Sequence, residues 1–142
     1  MPEIGSEGDA EGGLDTGLSS AVAPLFPLCR SGDLQERGEA VPFDVMFAGQ
    51  TCRAFVVRFN GQAVAYLNRC AHVAMEMDWR PNRFFDGTGR WLMCATHGAI
   101  YEPLSGACAG GPCRGGLTRI PVVEREDVVY WQAQYPISPL IF

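Results

Sequence analysis

The sequence contains no lysine, and all of its 11 basic residues are arginine. Five of its 16 acidic residues precede the first arginine, Arg30, and they account for the whole net charge of −5. From Arg30 onward, acidic residues and arginines are equal in number. A nucleic-acid-binding surface needs a clustered excess of basic residues, so this chain is not expected to bind nucleic acid.

The sequence also lacks any apolar run long enough to cross a bilayer. Its first residues have neither the basic start nor the apolar core of a secretory signal. We therefore expect a cytoplasmic protein with no membrane partner. Six cysteines in a cytoplasmic chain favour metal ligation over disulfides.

Residues 1–23 combine glycine, serine and acidic residues with few large apolar side chains. Such a segment cannot bury enough surface to offset the entropy of ordering it, so we predict a flexible acidic tail. Residues 24–142 are then expected to form one domain, which is large enough for a hydrophobic core of its own.

The rest of the chain is rich in β-prone runs, and sustained helical periodicity is missing apart from a turn near Gly32 to Arg37. The strongest local signal is Asn60–Gly61 between two such runs, because both residues tolerate the positive φ of a type I′ hairpin turn. We predict strands at 41–47, 54–59, 62–67, 90–93, 117–123 and 127–132.

Turns are predicted at 49–50 and through 124–126, between consecutive strands. The apolar end of the chain, residues 135–142, is expected to pack on the strands, with a dimer contact as the alternative. The fold class is therefore all-β, a small antiparallel β-barrel or sandwich with the cysteine- and histidine-containing loops at one end.

Both histidines of the chain closely follow a cysteine, as Cys70 with His72 and Cys94 with His97. Two such pairs are typical of two halves of one metal site, because neighbouring loop residues can turn their side chains toward a common point. Zinc is one candidate, although zinc fingers usually place cysteine with cysteine and histidine with histidine. If these were instead ordinary core residues, both histidines would lie beside cysteines by accident.

Cys-x-His followed by Cys-x-x-His resembles the Rieske family, and so do Gly98 and the Gly-Gly-Pro sequence that ends at Pro112. The resemblance covers the second half of the chain in detail. It implies one [2Fe-2S] cluster, in which one iron is held by two thiolates and the other by two imidazoles. It also implies a rubredoxin-like cluster-binding subdomain at about 68–117, with the proline loop covering the cluster. The implied ligands are Cys70, His72, Cys94 and His97.

The segment between the two ligand pairs, 73–93, is longer than the resemblance implies for small Rieske ferredoxins, so an insertion is expected there. Its aromatic residues either shield the cluster or pack in the core. Its arginines either dock an acidic partner or are simply solvated. The aromatic residues concerned are Trp79, Phe84, Phe85 and Trp91, and the two arginines concerned are Arg80 and Arg83.

Cys108 and Cys113 lie in a glycine-rich third loop, 106–116. They are either two small buried residues, or a local disulfide or oxidant-responsive thiol pair, since the spacing allows their Cα atoms to approach to about 5–6 Å. Cys29 and Cys52 lie in strand-like surroundings and are interpreted as packing residues.

High-potential Rieske proteins join their ligand loops by a disulfide, but this chain has Met75 and Thr96 at the corresponding places. A serine that hydrogen-bonds the cluster in those proteins is replaced here by Ala99, whereas a tyrosine near the cluster is kept as Tyr101. Hydrogen bonds to the sulfurs stabilise the reduced state, so the resemblance implies a potential in the lower half of a span of roughly −150 to +300 mV. The histidine edge is the exposed one in this family, and a potential that depends on pH in the alkaline range is expected.

Ring-hydroxylating oxygenases carry the same loops together with a mononuclear iron, which requires two further histidines and a carboxylate. This chain has no third histidine. The resemblance therefore implies a soluble one-electron carrier between a reductase and an oxygenase or another redox enzyme, without a substrate site of its own. The alternative is a non-catalytic module in which an iron–sulfur or zinc site supports the fold or senses oxidants. Either form is expected to be a monomer or a weak homo-oligomer.

Overall fold

The computed structural model describes residues 24–69, 76–78, 80–95 and 98–140. Strands account for the regular structure in these ranges, apart from one 3-10 turn at Ser31–Asp33, which overlaps the start of the turn predicted near Gly32 to Arg37. The strands are β1 Leu25–Arg30, β2 Val41–Phe47, β3 Gln50–Phe59, β4 Gln62–Leu67, β5 Leu92–Met93, β6 Ile100–Tyr101, β7 Cys108–Gly110, β8 Arg119–Ile120, β9 Val122–Arg125, β10 Val128–Gln132 and β11 Ile137–Ser138.

The described strands form three antiparallel sheets, which confirms the predicted all-β fold class. The largest has the order β11-β2-β3-β4-β8, the second has the order β1-β10-β9, and the smallest is β5-β6-β7. None of the helices in the described ranges is long and apolar enough to span a bilayer.

The hairpin predicted at Asn60–Gly61 is confirmed, with φ values of 52° and 78° at its two turn residues. Phe59 pairs with Gln62 across the turn, so β3 and β4 are joined by a two-residue connection. The carboxylate of Glu36 accepts hydrogen bonds from the N–H groups of Asn60 at 2.6 Å and Gly61 at 2.9 Å. The turn is thereby held to the segment that precedes β2.

The strands β3 and β4 separate two hydrophobic cores. Phe55 and Tyr66 point into the first core, which also contains Cys94 and residues of the small sheet. The next residues toward the turn, Val56 and Ala65, point into the second core, which lies toward β1 and β10. Both strands are therefore buried on both faces, which explains their nearly continuous apolar runs.

Three connections differ from the prediction. The turn expected at 49–50 lies at Ala48–Gly49, because Gln50 already pairs with Phe47. The strand expected at 117–123 is broken into β8 and β9 at Pro121, which has no N–H to donate to a ladder. The connection expected at 124–126 lies at 126–127, where both residues have positive φ.

The C-terminal segment contacts the large sheet through β11. β11 pairs with the end of β2, and Ile137 is buried in the second core. Packing of this segment on the strands is confirmed at Ile137–Ser138, whereas Tyr135 is 97% exposed. Residues 141–142 and the predicted tail, 1–23, lie outside the described residues.

Candidate metal centre

The second ligand loop connects β5 to β6 and is closed by two backbone hydrogen bonds. The N–H of Cys94 donates to the carbonyl of Ala99 at 2.8 Å, and the N–H of Gly98 donates back to the carbonyl of Cys94 at 2.9 Å. Gly98 has a φ of 74°, a conformation that favours glycine. Cys94 itself is fully buried in the first core. Its side chain therefore lies inside the protein, while His97 lies outside the described residues.

The first ligand loop leaves the sheet at Asn68, the residue after β4, and returns at Met77. The side-chain carbonyl of Asn68 accepts a hydrogen bond from the N–H of Met77 at 2.7 Å, and its amide donates to Asp78 at 3.0 Å. Asn68 is only 6% exposed and is a buried polar residue in the described part of the chain. One side chain therefore links the two ends of the loop that contains Cys70 and His72.

The two ligand loops are joined directly at their bases. The N–H of Ala95, the residue after Cys94, donates to the carbonyl of Met77 at 2.9 Å. Met77 is fully buried in the same core as Cys94. The structure thus places the return of the first loop beside the start of the second. Cys70, His72 and the neighbouring Met75 are outside the described residues, as are His97 and Thr96.

The third loop packs on the second. A Cβ atom built on Gly111 would lie 2.8 Å from the Cα atom of Ala99 and 3.0 Å from the carbonyl oxygen of Gly98. The backbones of the two loops therefore touch at a distance that only glycine permits, and Gly111 also has a φ of 80°. The structure joins Cys108 and Cys113 in a disulfide, with Cα atoms 5.9 Å apart. Of the two alternatives for this pair, the local disulfide is the one observed.

Two tyrosines lie in the first core near these loops. Tyr101, in β6, is fully buried and pairs with Leu92 of β5. Tyr66 donates its hydroxyl hydrogen to the carbonyl of Pro103 at 2.6 Å. Burial is the main cause that raises the pKa of Tyr66 to about 12, so this hydroxyl stays protonated at neutral pH.

The expected insertion contributes to the core. The ring of Phe84 stacks on Phe55 with centroids 3.7 Å apart, and Phe85 lies 6.0 Å from the ring of Phe59. The packing interpretation of these two aromatic residues is therefore confirmed. Trp91 is half-buried, with the guanidinium of Arg90 5.4 Å from its ring centroid, and Trp79 lies outside the described residues.

Arg80 and Arg83 lie in an exposed turn, where the N–H of Arg83 donates to the carbonyl of Arg80 at 2.9 Å. Arg83 also forms an ion pair with Glu39 at 3.3 Å, and both side chains are largely exposed. Cys29 and Cys52 pack, partly buried, against the second core, which confirms their interpretation as packing residues.

The described residues fit an iron–sulfur site of the implied kind. A buried thiol, an apolar surrounding core and glycine-rich loops that approach closely are what a cluster held away from water requires. Sequence reasoning missed Asn68, whose importance follows from contacts to residues nine and ten positions away. The sequence signal for Asn68 is a polar residue directly after an apolar strand and two positions before Cys70, a predicted ligand.

A protein-family model described as the Rieske [2Fe-2S] domain matches residues 25–125. No curated protein sequence matches. Similar solved structures include a chain from a complex of reduced oxygenase and oxidized ferredoxin in carbazole 1,9a-dioxygenase, with 23% identity, a TM-score of 0.59, and coverage of 76% of this chain and 92% of that chain.

Two further structures are ferredoxins by name. The ferredoxin of carbazole 1,9a-dioxygenase from Nocardioides aromaticivorans has 19% identity and a TM-score of 0.59, with coverage of 78% of this chain and 98% of that one. The ferredoxin of Sphingomonas yanoikuyae has 20% identity and a TM-score of 0.60, with coverage of 78% and 100%. At these identities the likeness shows the fold.

Proposed function

The chain belongs to the Rieske [2Fe-2S] domain family, and from this premise we propose that it is a one-electron carrier between a reductase and an oxygenase. One observation carries the proposal. The hydrogen bond from Ala95 to Met77 brings the two cysteine–histidine loops together at a fully buried Cys94. That arrangement suits a single centre assembled from both loops.

We assign the cluster ligands to Cys70 and Cys94 for one iron and to His72 and His97 for the other. The bound cluster supplies the one-electron chemistry. The chain's own residues position the ligands and keep water away: Asn68 closes the first loop, Gly98 shapes the second, and the third loop covers them. The cluster-binding subdomain is taken to span about 68–117 of a domain that spans 24–142.

The partner assignment draws on the similar structures. One of them is a complex of an oxygenase with a ferredoxin, and this chain covers 92% of the matched chain. Coverage of the two chains named as ferredoxins is 98% and 100%. The given sequence contains two histidines, and both are assigned to the cluster. We therefore propose redox proteins as partners, a cytoplasmic location, and a monomer or weak homo-oligomer.

The test is to reconstitute the full chain anaerobically with iron and sulfide. We expect two irons and two sulfides per chain, a coloured protein, and an electron paramagnetic resonance signal after reduction. Cys94→Ser should abolish all three, whereas the matched variant Cys52→Ser should keep them. A colourless, iron-free wild type, or one that binds only zinc, would overturn the assignment. Rapid reduction by a flavoprotein reductase would then separate a carrier from a structural module.

A second function is favoured by one specific observation. The Cys108–Cys113 disulfide lies in the loop that covers the second ligand loop. A module that senses oxidants through this pair is therefore kept as the alternative.

A further inference from the structure

The two cysteines of the Cys108–Cys113 disulfide differ in exposure. Cys108 lies in β7 and is half-buried, whereas Cys113 is only 8% exposed and belongs to the first core. A thiolate from solution therefore reaches Cys108 more easily than Cys113.

The disulfide closes a short hook of chain over the second ligand loop. β7 pairs with β6, which directly follows that loop, and a register shift lies between the two pairs. Inside the hook, Gly111 touches the backbone of Ala99. The sulfur of Cys113 lies 3.8 Å from the carbonyl oxygen of Ile100. The disulfide thus fixes the part of the third loop that presses on residues 98–100.

So short a ring removes little entropy from the unfolded chain, compared with a disulfide that joins distant elements. Its main effect is therefore local, on the hook itself. Disulfides in a reducing compartment are usually transient and take part in catalysis or redox sensing. One cysteine of this disulfide, Cys108, is partly exposed, and the effect of the disulfide is local. Both features suit reversible exchange better than permanent stabilisation.

We propose that Cys108 and Cys113 form a thiol–disulfide exchange site for dithiol reductants, and that its redox state controls how firmly the third loop holds the second ligand loop. The effect on the cluster rests on the proposed function, whereas the exchange reaction does not. The reductant class is a small or protein dithiol that can close its own disulfide.

The exchange proceeds through a mixed disulfide with the reductant. One thiolate of the dithiol attacks Sγ of Cys108, forming a mixed disulfide and breaking the Cys108–Cys113 bond. Cys113 leaves as a thiolate and takes up a proton. The second thiol of the reductant attacks its own sulfur in the mixed disulfide and releases Cys108 as a thiol. The protein gains two electrons and two protons, and the dithiol becomes a cyclic disulfide.

The reduced state has hydrogen-bond acceptors in place. The sulfur of Cys113 lies 3.2 Å from the carbonyl oxygen of Gly110, and the sulfur of Cys108 lies 3.0 Å from the carbonyl oxygen of Cys113. Each new S–H group can therefore donate to a nearby carbonyl, and burial of the thiols carries little cost.

The exchange is tested on the purified full chain by alkylation and peptide mass spectrometry, before and after treatment with dithiothreitol. We expect Cys108 and Cys113 to resist alkylation as isolated and to become alkylated after mild reduction, with reoxidation restoring protection. Cys29 and Cys52 are internal controls whose alkylation should not change. Two freely alkylated thiols in the aerobically purified protein, or a disulfide that resists the dithiol in the folded state, would overturn the exchange site.

The coupling is tested by hydrogen exchange of peptides that cover residues 98–116 and by the rate of colour loss in the presence of an iron chelator. Reduction should speed both severalfold in wild type, and Cys108→Ser/Cys113→Ser should show the fast rates with and without dithiothreitol. Equal rates in oxidised and reduced wild type would overturn the coupling. Because alkylation needs no cluster, a colourless protein with a normally exchanging disulfide would reject only the proposed carrier function.

Discussion

The side-chain carbonyl of Asn68 lies 2.7 Å from the backbone nitrogen of Met77, which donates a hydrogen bond to it. Met77 in turn accepts a hydrogen bond from Ala95 on the second ligand loop. A single buried amide at the end of β4 therefore influences the placement of both loops.

Asn68→Ala is expected to lower the free energy of unfolding by about 1–3 kcal/mol, because the buried N–H of Met77 loses its partner. The same change should accelerate loss of the cluster to a chelator, since the first ligand loop is no longer closed. Urea denaturation and visible absorbance measure the two effects. Gln50→Ala, at an exposed position of the same sheet, is the matched control. Equal stability of the two variants would contradict this role of Asn68.

Gly111→Ala is expected to destabilise the protein by about 1–3 kcal/mol, because its methyl group would clash with the backbone of the second ligand loop. Thermal unfolding and the rate of colour loss both report on this contact. The control is Gly115→Ala, where an added Cβ has no neighbour within 4 Å. If both substitutions had the same effect, the close approach of the two loops would be disproved.

Tyr101→Phe should lower the reduction potential of the cluster. Loss of a hydrogen bond that favours the reduced state by about 1 kcal/mol corresponds to a shift of about 40 mV for one electron. A redox titration followed by visible absorbance measures it. Tyr66→Phe is the control, because that hydroxyl is already committed to Pro103. An unchanged potential in the Tyr101 variant would refute a hydrogen bond from Tyr101 to the cluster.

The ion pair between Arg58 and Glu124 is expected to make stability depend on acid pH. Its atoms lie 2.8 Å apart, and the hydrogen bonds from the Arg58 guanidinium lower the pKa of Glu124 below the ordinary value of 4.5. A carboxyl with a lowered folded pKa stabilises the protein above its unfolded pKa, and the contribution is lost as the pH falls through the folded value.

Glu124→Gln should therefore cost about 1 kcal/mol at neutral pH, a value that allows for partial exposure of the pair. The difference from wild type should shrink when the pH is lowered below 4.5. Urea denaturation followed by circular dichroism at several pH values checks this. Glu126→Gln, at the exposed turn, is the control. A difference that persists unchanged into acid would argue against the linkage.

Local signals were sufficient for part of the fold. Asn60–Gly61 specifies its hairpin through its own backbone preferences, and the prediction was confirmed. The strands of the small sheet are only two or three residues long, and their pairing depends on residues distant in sequence. β5 lies within the predicted strand 90–93, whereas β6 and β7 carry too little periodicity to be predicted. Pro121 signals a break between strands in the sequence itself, although the prediction placed one continuous strand over 117–123.

The ligand residues remain predictions, since the family resemblance implies them and, of the four, only Cys94 is among the described residues. The supporting contacts could not be predicted, because they arise when separate segments meet. Phe84 packs on Phe55 of β3, and Asn68 reaches Met77 across the loop. In each case the partner is known only once the chain is folded.

The burial of β3 and β4 on both faces has a consequence for how accurately their hairpin must form. Side chains alternate between the two cores, so sliding β4 by one residue would move Tyr66 into space shaped for Ala65. The same slip would leave a void where the Tyr66 ring had been. A misaligned hairpin would be destabilised by steric overlap in one core and by a cavity in the other. Packing on both faces therefore selects the native register of β3 and β4.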